Sequence, residues 1–206
     1  MRKIAAVLLA LAAACAPEPS RDFELGLIGP VGPGVASAAR AAGLTIREAA
    51  PEGADTRSAG AERMADWSDL RLHVARAAIE GRTGVFFILP KTADARELTS
   101  YPEEWQALAR VARETAAIRP VLEAGIETAL PFPAPAGAAA RAWRYQGRLY
   151  VLLVNDGEAA LPVSPDDLRP WRALFEVRAD ARDLLSPCPE GRCLPAGRVL
   201  WLEGRL

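Results

Sequence analysis

The chain has 206 residues, half of them apolar and a quarter charged, with a mean hydropathy near zero. That balance belongs to a globular protein with a sizeable core and excludes a disordered chain. The formal charge of −1 leaves no basic excess of the kind a nucleic-acid partner calls for.

In chain order, the first segment is an address. Arg2 and Lys3 precede an apolar run over residues 4–14, and small residues lead directly into Cys15. A membrane-spanning helix needs about 20 apolar residues, so this shorter run suits the h-region of a secretory signal and predicts export. Leu11-Ala12-Ala13-Ala14-Cys15 resembles the lipobox of bacterial lipoproteins. The resemblance implies cleavage before Cys15, a lipid on its thiol and anchoring on the periplasmic side, with Ala16 favouring the outer membrane. One position departs from the pattern, since Ala12 stands where lipoboxes usually carry leucine. Ordinary cleavage after Ala12-x-Ala14, which would give a soluble periplasmic or secreted protein, stays open beside it. Residues 1–14 are read as signal peptide and 15–22 as a tether. Loss of Arg2 and Lys3 takes the mature chain from −1 to −3.

Residues 23–29 read as a strand, 35–42 as an Ala-rich helix capped by Gly43, and 44–48 as a second strand, which makes a β-α-β unit. The turn Gly29-Pro30-Val31-Gly32-Pro33-Gly34 lacks G-x-G-x-x-G spacing, and its prolines remove two N–H donors that a phosphate cradle needs. It is read as a plain strand-to-helix turn. Residues 51–65 read as a surface connection. Ser68 can then cap a helix with Leu70, Val74, Ala77 and Ala78 on one face, ended by Gly81. The apolar run 85–89 that follows is expected where both faces of a strand are covered. Pro102 opens another helix, striped by Trp105, Leu108, Val111, Ala112 and Ile118 and stopped at Pro120.

From about Ile126 the texture turns to β. Residues 141–145 turn at Gln146-Gly147 into 148–154, which turns again at Asn155-Asp156-Gly157, and both turns are read as hairpins. Further strands are predicted over 159–163, 173–177 and 198–202.

From Asp69 onward this order resembles the last part of bacterial (β/α)8-barrel glycoside hydrolases with the β-domain that follows the barrel. It is carried by Val74-Ala75-Arg76-Ala77-Ala78-Ile79-Glu80-Gly81 ahead of the apolar strand, by Trp105-Gln106-Ala107-Leu108-Ala109-Arg110-Val111, and by Ile118-Arg119-Pro120-Val121-Leu122. Gly147 to Asn155 is similar to the first hairpin of such a β-domain. The fold class expected is therefore α/β followed by β, a partial barrel-like α/β layer over 23–125 and a C-terminal antiparallel β-sandwich or sheet over 126–206.

What the resemblance implies about activity is negative. Retaining members use two carboxylates about 5–5.5 Å apart, with the acid/base in an Asn-Glu pair. The one asparagine here, Asn155, is followed by Asp156. A closed barrel also takes about 250 residues, and fewer than about 120 are available before the β region.

Other chemistry is equally thin. His73, the one histidine, has no base or orienting acid assigned to it and is read as a surface or packing residue. Asp66, Asp69, Glu103 and Glu104 sit where helix starts favour negative charge. If Cys15 carries lipid, Cys188 and Cys193 remain, and in an oxidising compartment they are expected to pair and pin a turn. One histidine and two paired cysteines make no metal site, and no cofactor or catalytic residue is predicted. Trp67, Trp143, Tyr145 and Trp171, with Tyr150, are candidates for stacking on sugar rings, against the competing task of filling a core. The sequence thus predicts a non-catalytic envelope lipoprotein with a binding or structural role. A reduced or partner-dependent glycoside hydrolase is the alternative. The expected partners are the membrane through the lipid and a glycan or envelope protein, with self-association through open sheet edges.

Overall fold

The computed structural model describes residues 22–29, 31, 33–58, 67–88, 102–175, 180–189 and 191–205. Cys15, the signal peptide and most of the tether lie outside the described residues.

The first layer is a parallel sheet. Strand β1 (Glu24–Ile28) runs into helix α1 (Pro33–Ala41) and back to β2 (Thr45–Arg47), the β-α-β unit expected. Pro33 opens α1, where a missing N–H costs nothing. At the other end Leu44 N–H bonds Ala39 O and Gly43 N–H bonds Arg40 O, with Gly43 at φ +85°. Only glycine takes that conformation cheaply, so the sequence stops the helix there. Helix α2 (Trp67–Ile79) places Leu70, Val74, Ala77 and Ala78 in the core, as its periodicity predicts. It starts at Trp67, so Ser68 lies inside the helix and does not precede it. Strand β4 (Gly84–Ile88) follows and pairs along its whole length with β1, its Val85 and Phe87 facing the same way as Leu25 and Leu27.

Three expectations are corrected in this layer. Residues 51–65 are not wholly a connection, because β3 (Asp55–Ser58) pairs in parallel with β4. Its polar side chains hid it, yet an edge strand needs only its backbone to pair. The strand order is β2-β1-β4-β3. A (β/α)8 layer would set each strand beside the next in the chain, whereas β4 here lies between β1 and β3, so the described strands form an open sheet and no part of a barrel. Helix α3 (Pro102–Ala124) continues through Pro120. That proline loses its bond to Ala116 O, but Ala116 is exposed, and buried Val121 carries the chain onward. Core packing outweighs the local cost.

The second layer is antiparallel. Strands β5 (Ile126–Thr128), β6 (Ala139–Tyr145), β7 (Arg148–Asn155), β9 (Arg172–Ala173) and β12 (Arg198–Arg205) form a sheet of order β5-β6-β7-β12-β9. The β6–β7 hairpin turns at Gln146 and Gly147, at φ +48° and +74°, the two left-handed positions of a type I′ turn. The second expected hairpin does not form. After Asn155 the chain leaves the sheet, and β8 (Leu161–Pro162) pairs with β11 (Gly191–Leu194), itself paired to β10 (Ser186–Cys188). β12 takes the place beside β7.

One core spans both halves. Leu25, Leu27, Val85 and Phe87 from the parallel sheet, Val74, Ala78, Leu108 and Val111 from α2 and α3, and Trp143, Leu152, Val154 and Trp201 from the antiparallel sheet belong to a single buried cluster. The change of texture near residue 126 is therefore not a boundary between separate cores. A second cluster, with Leu153, Leu168, Leu194, Leu200 and Leu202, fills the far side of the five-stranded sheet. Among the described residues the sheet edges are short, and β8 and β10 carry Pro162 and Pro187, which blunts pairing with another chain. No described helix is long and apolar enough to cross a membrane.

Candidate functional site

Antiparallel strands place directly opposite residues on one face. At the hairpin end of the five-stranded sheet this puts Tyr145, Arg148 and Arg205 in one row and Tyr150, Glu203 and Arg172 in the next. The rows continue the buried column in which Trp143 and Trp201 stack at 5.8 Å and 27°, both 4% exposed. Tyr145 and Tyr150 are the part-exposed end of that column, with ring centroids 6.5 Å apart. Arg148 pairs with Glu203, and the Tyr150 hydroxyl donates to the same carboxylate at 3.3 Å. Burial, and then the Glu203 charge, hold the Tyr150 hydroxyl above its ordinary pKa. Gln146 Nε2 donates to the Tyr145 hydroxyl at 3.0 Å. The chemistry available is hydrogen bonding, charge and ring contact.

A groove of about 500 Å³ lies beside the β10–β11 hairpin, lined by Pro162, Val163, Ser164, Pro165, Gly191 and Arg192. Arg192 Nη1 donates to Leu185 O at 3.3 Å, and Ser164 makes no side-chain cap to the short helix α4 (Pro165–Leu168) that it precedes. One hydroxyl and one guanidinium make no catalytic pair. The disulfide Cys188–Cys193 closes the adjoining hairpin, with Cα atoms 5.9 Å apart. In the chain-entropy model so small a loop contributes about 2 kcal/mol. Cys188→Ser with Cys193→Ser should lower stability to urea by that amount, and thiol alkylation of the purified protein should require prior reduction. Alkylation of both thiols without reductant would show them free.

Of the predicted ring-stacking residues, Trp143, Tyr145 and Tyr150 share one face of the sheet, and Trp171 packs on the other. Trp143 is buried against Trp201. Trp171 is 6% exposed, meets Phe132 edge-on at 5.6 Å and lies so close over Gly204 that a Cβ there would sit 2.7 Å from its ring. Their rings serve the core, because each sits on a strand or loop between packed layers. Of the three whose side chains are described, Tyr145 is the part-exposed one; the side chain of Trp67 lies outside the described residues, as do those of Asp66, Asp69, Glu103 and Glu104. His73 is half-buried on α2.

Two buried polar groups whose packing role the sequence did not reveal, Arg71 and Asn155, are structural. Arg71 on α2 meets Glu114 on α3 at 3.0 Å, with side chains 6% and 11% exposed. Asn155 is wholly buried, its Nδ2 lying 2.9 Å from Ala159 O, 3.1 Å from Leu194 O and 2.9 Å from Pro195 O, while Oδ1 accepts from Gly157 N–H. Asp180 accepts from the Arg182 side chain and backbone, which pull its carboxyl down to about 2. A group held so low stays ionised near neutral pH and cannot serve there as a general acid. Among the described residues no cluster of three or more His, Cys, Asp or Glu side chains could hold a metal ion.

No known protein family matches the chain, and no curated protein matches it. Solved structures similar to it are glycoside hydrolases. An α-amylase from Geobacillus thermoleovorans complexed with acarbose shares 18% identity at TM-score 0.39, over 68% of this chain and 34% of that one. The α-L-fucosidase isoenzyme 1 from Paenibacillus thiaminolyticus shares 12% at 0.38, over 90% and 45%. A GH30 endoxylanase from Clostridium papyrosolvens C71 shares 13% at 0.38, over 81% and 43%. The chain thus spans between a third and a half of the length of these proteins. Likeness at this level assigns no activity.

Proposed function

We propose that the chain is an exported envelope lipoprotein, held at the membrane by a lipid on Cys15, with a binding or structural task and no catalysis of its own. The observation that supports it best is the Cys188–Cys193 disulfide, since such bonds persist in oxidising compartments outside the cytosol. The short apolar run that ends in small residues and Cys15 agrees with the same address. The non-catalytic part is supported by the carboxylates Glu114, Asp180 and Glu203, each engaged by an arginine.

Growth with labelled palmitate should mark the protein, and Cys15→Ser should abolish the mark. Labelling that survives the substitution, or none in the wild type, would remove the anchor from this reading. The Cys15→Ser protein, screened on activated aryl glycosides, should show no turnover. Turnover lost on substitution of a single carboxylate would put a glycoside hydrolase in its place.

A further inference from the structure

The corner of the five-stranded sheet around Tyr145 and Tyr150 carries more positive charge than its own contacts use. The registers place three carboxylates along these rows, Glu203, Glu127 and Asp180, and Arg148, Arg141 and Arg182 engage them. Arg172 and Arg205 share that face through their registers with Glu203 and Arg148. Both are exposed, and neither has an ion-pair partner among the described residues. Two guanidinium groups, Arg172 and Arg205, therefore remain beside the Arg148–Glu203 pair and two part-exposed tyrosines. The surface is held by four adjacent strands, β6, β7, β12 and β9, and a tight turn, so little ordering remains for a ligand to impose. Planar guanidinium forks suit carboxylate and phosphate oxygens, tyrosine rings suit the C–H face of a sugar, and the Gln146 amide and Glu203 suit hydroxyls.

We propose that this corner is a binding site for an anionic saccharide, a sugar ring that carries a carboxylate or a phosphate. The proposal rests on the reading of the chain as an exported binding protein and names the class of ligand. A neutral sugar would leave Arg172 and Arg205 without a partner. A membrane surface is disfavoured because the turn that projects from the sheet consists of Gln146, Gly147 and Arg148, with no apolar side chain to enter a lipid layer.

The test uses the mature chain with Cys15→Ser on an array of neutral, uronate-bearing and phosphorylated glycans, with phosphatidylglycerol vesicles as a separate arm. Acidic glycans should be retained in preference to neutral ones, with the uronate and phosphate arms showing which anion is preferred, and retention should fall as salt rises. Arg205→Gln, Arg172→Gln and Tyr145→Ala should each weaken binding about tenfold, the loss expected for one charge-assisted or ring contact. Arg113→Gln, on the exposed face of α3, should leave it unchanged. The two exposed arginine variants should keep the wild-type melting temperature, so that lost binding is not lost folding. Failure to bind any acidic glycan more tightly than about 1 mM overturns the proposal, as does equal binding of neutral glycans or wild-type binding by the variants. Binding to vesicles alone would also overturn it and assign the corner to the membrane. None of these results depends on palmitate labelling at Cys15, so the two readings fail separately.

Discussion

Glu114→Ala is expected to destabilise the protein by about 3–5 kcal/mol, the range for removing one partner of a buried ion pair. Arg71 and Glu114 meet at 3.0 Å between α2 and α3, almost out of contact with water, and Arg110 reaches the other Glu114 oxygen at 3.6 Å. Loss of the carboxylate takes from the buried Arg71 guanidinium the counter-charge that Glu114 supplies at 3.0 Å. Replacing both groups together, Arg71→Met with Glu114→Leu, should recover most of the loss, because apolar side chains of similar size avoid the desolvation that the pair only offsets. Urea unfolding of the two single variants and the double variant measures the coupling directly. A Glu114→Ala protein as stable as the wild type would show that water reaches the pair.

Asn155→Ala should cost about 3 kcal/mol for a different reason. The Asn155 amide satisfies carbonyls on two separate segments, the turn after β7 and the end of β11, and its own carbonyl oxygen holds Gly157 N–H. Each buried polar group left without a partner costs about 1–3 kcal/mol. Asn155→Asp separates volume from chemistry. A carboxylate facing three carbonyl oxygens is disfavoured, so the new acid should titrate above its unfolded value. Its penalty is then present at neutral pH and fades as pH falls through the raised pKa, so that this variant, unlike Asn155→Ala, should gain stability relative to wild type on mild acidification. Stability profiles of the two variants between neutral pH and pH 4 that ran parallel would contradict the assignment.

Sequence reasoning reached the β-α-β start, the α2 and β4 pair, the Gln146-Gly147 hairpin and the Cys188–Cys193 bridge. Each rests on a signal contained within a few residues: apolar length, a 3.6-residue period, a glycine at positive φ, or two cysteines close in the chain. It missed β3 because Asp55-Thr56-Arg57-Ser58 has no apolar alternation to mark a strand. It took Asn155 as a hairpin-turn residue and as a missing catalytic pair, since nothing local tells a buried amide from a turn residue. The surface charge was visible as composition, but not that Arg148, Arg172 and Arg205 share one face.

By itself, then, the sequence determined the β-α-β start, α2 and β4, the Gln146-Gly147 turn and the pairing of its last two cysteines, because backbone conformation and short loop closure are local. Only the tertiary structure decided the strand order β2-β1-β4-β3, the passage of α3 through Pro120, the transfer of the chain after Asn155 to a second sheet and the burial of Trp143 and Trp171. These depend on which surfaces meet. Apolar faces of similar width can pack in several orders, and the winning order is set by total burial and by satisfying every buried polar group across residues distant in the chain.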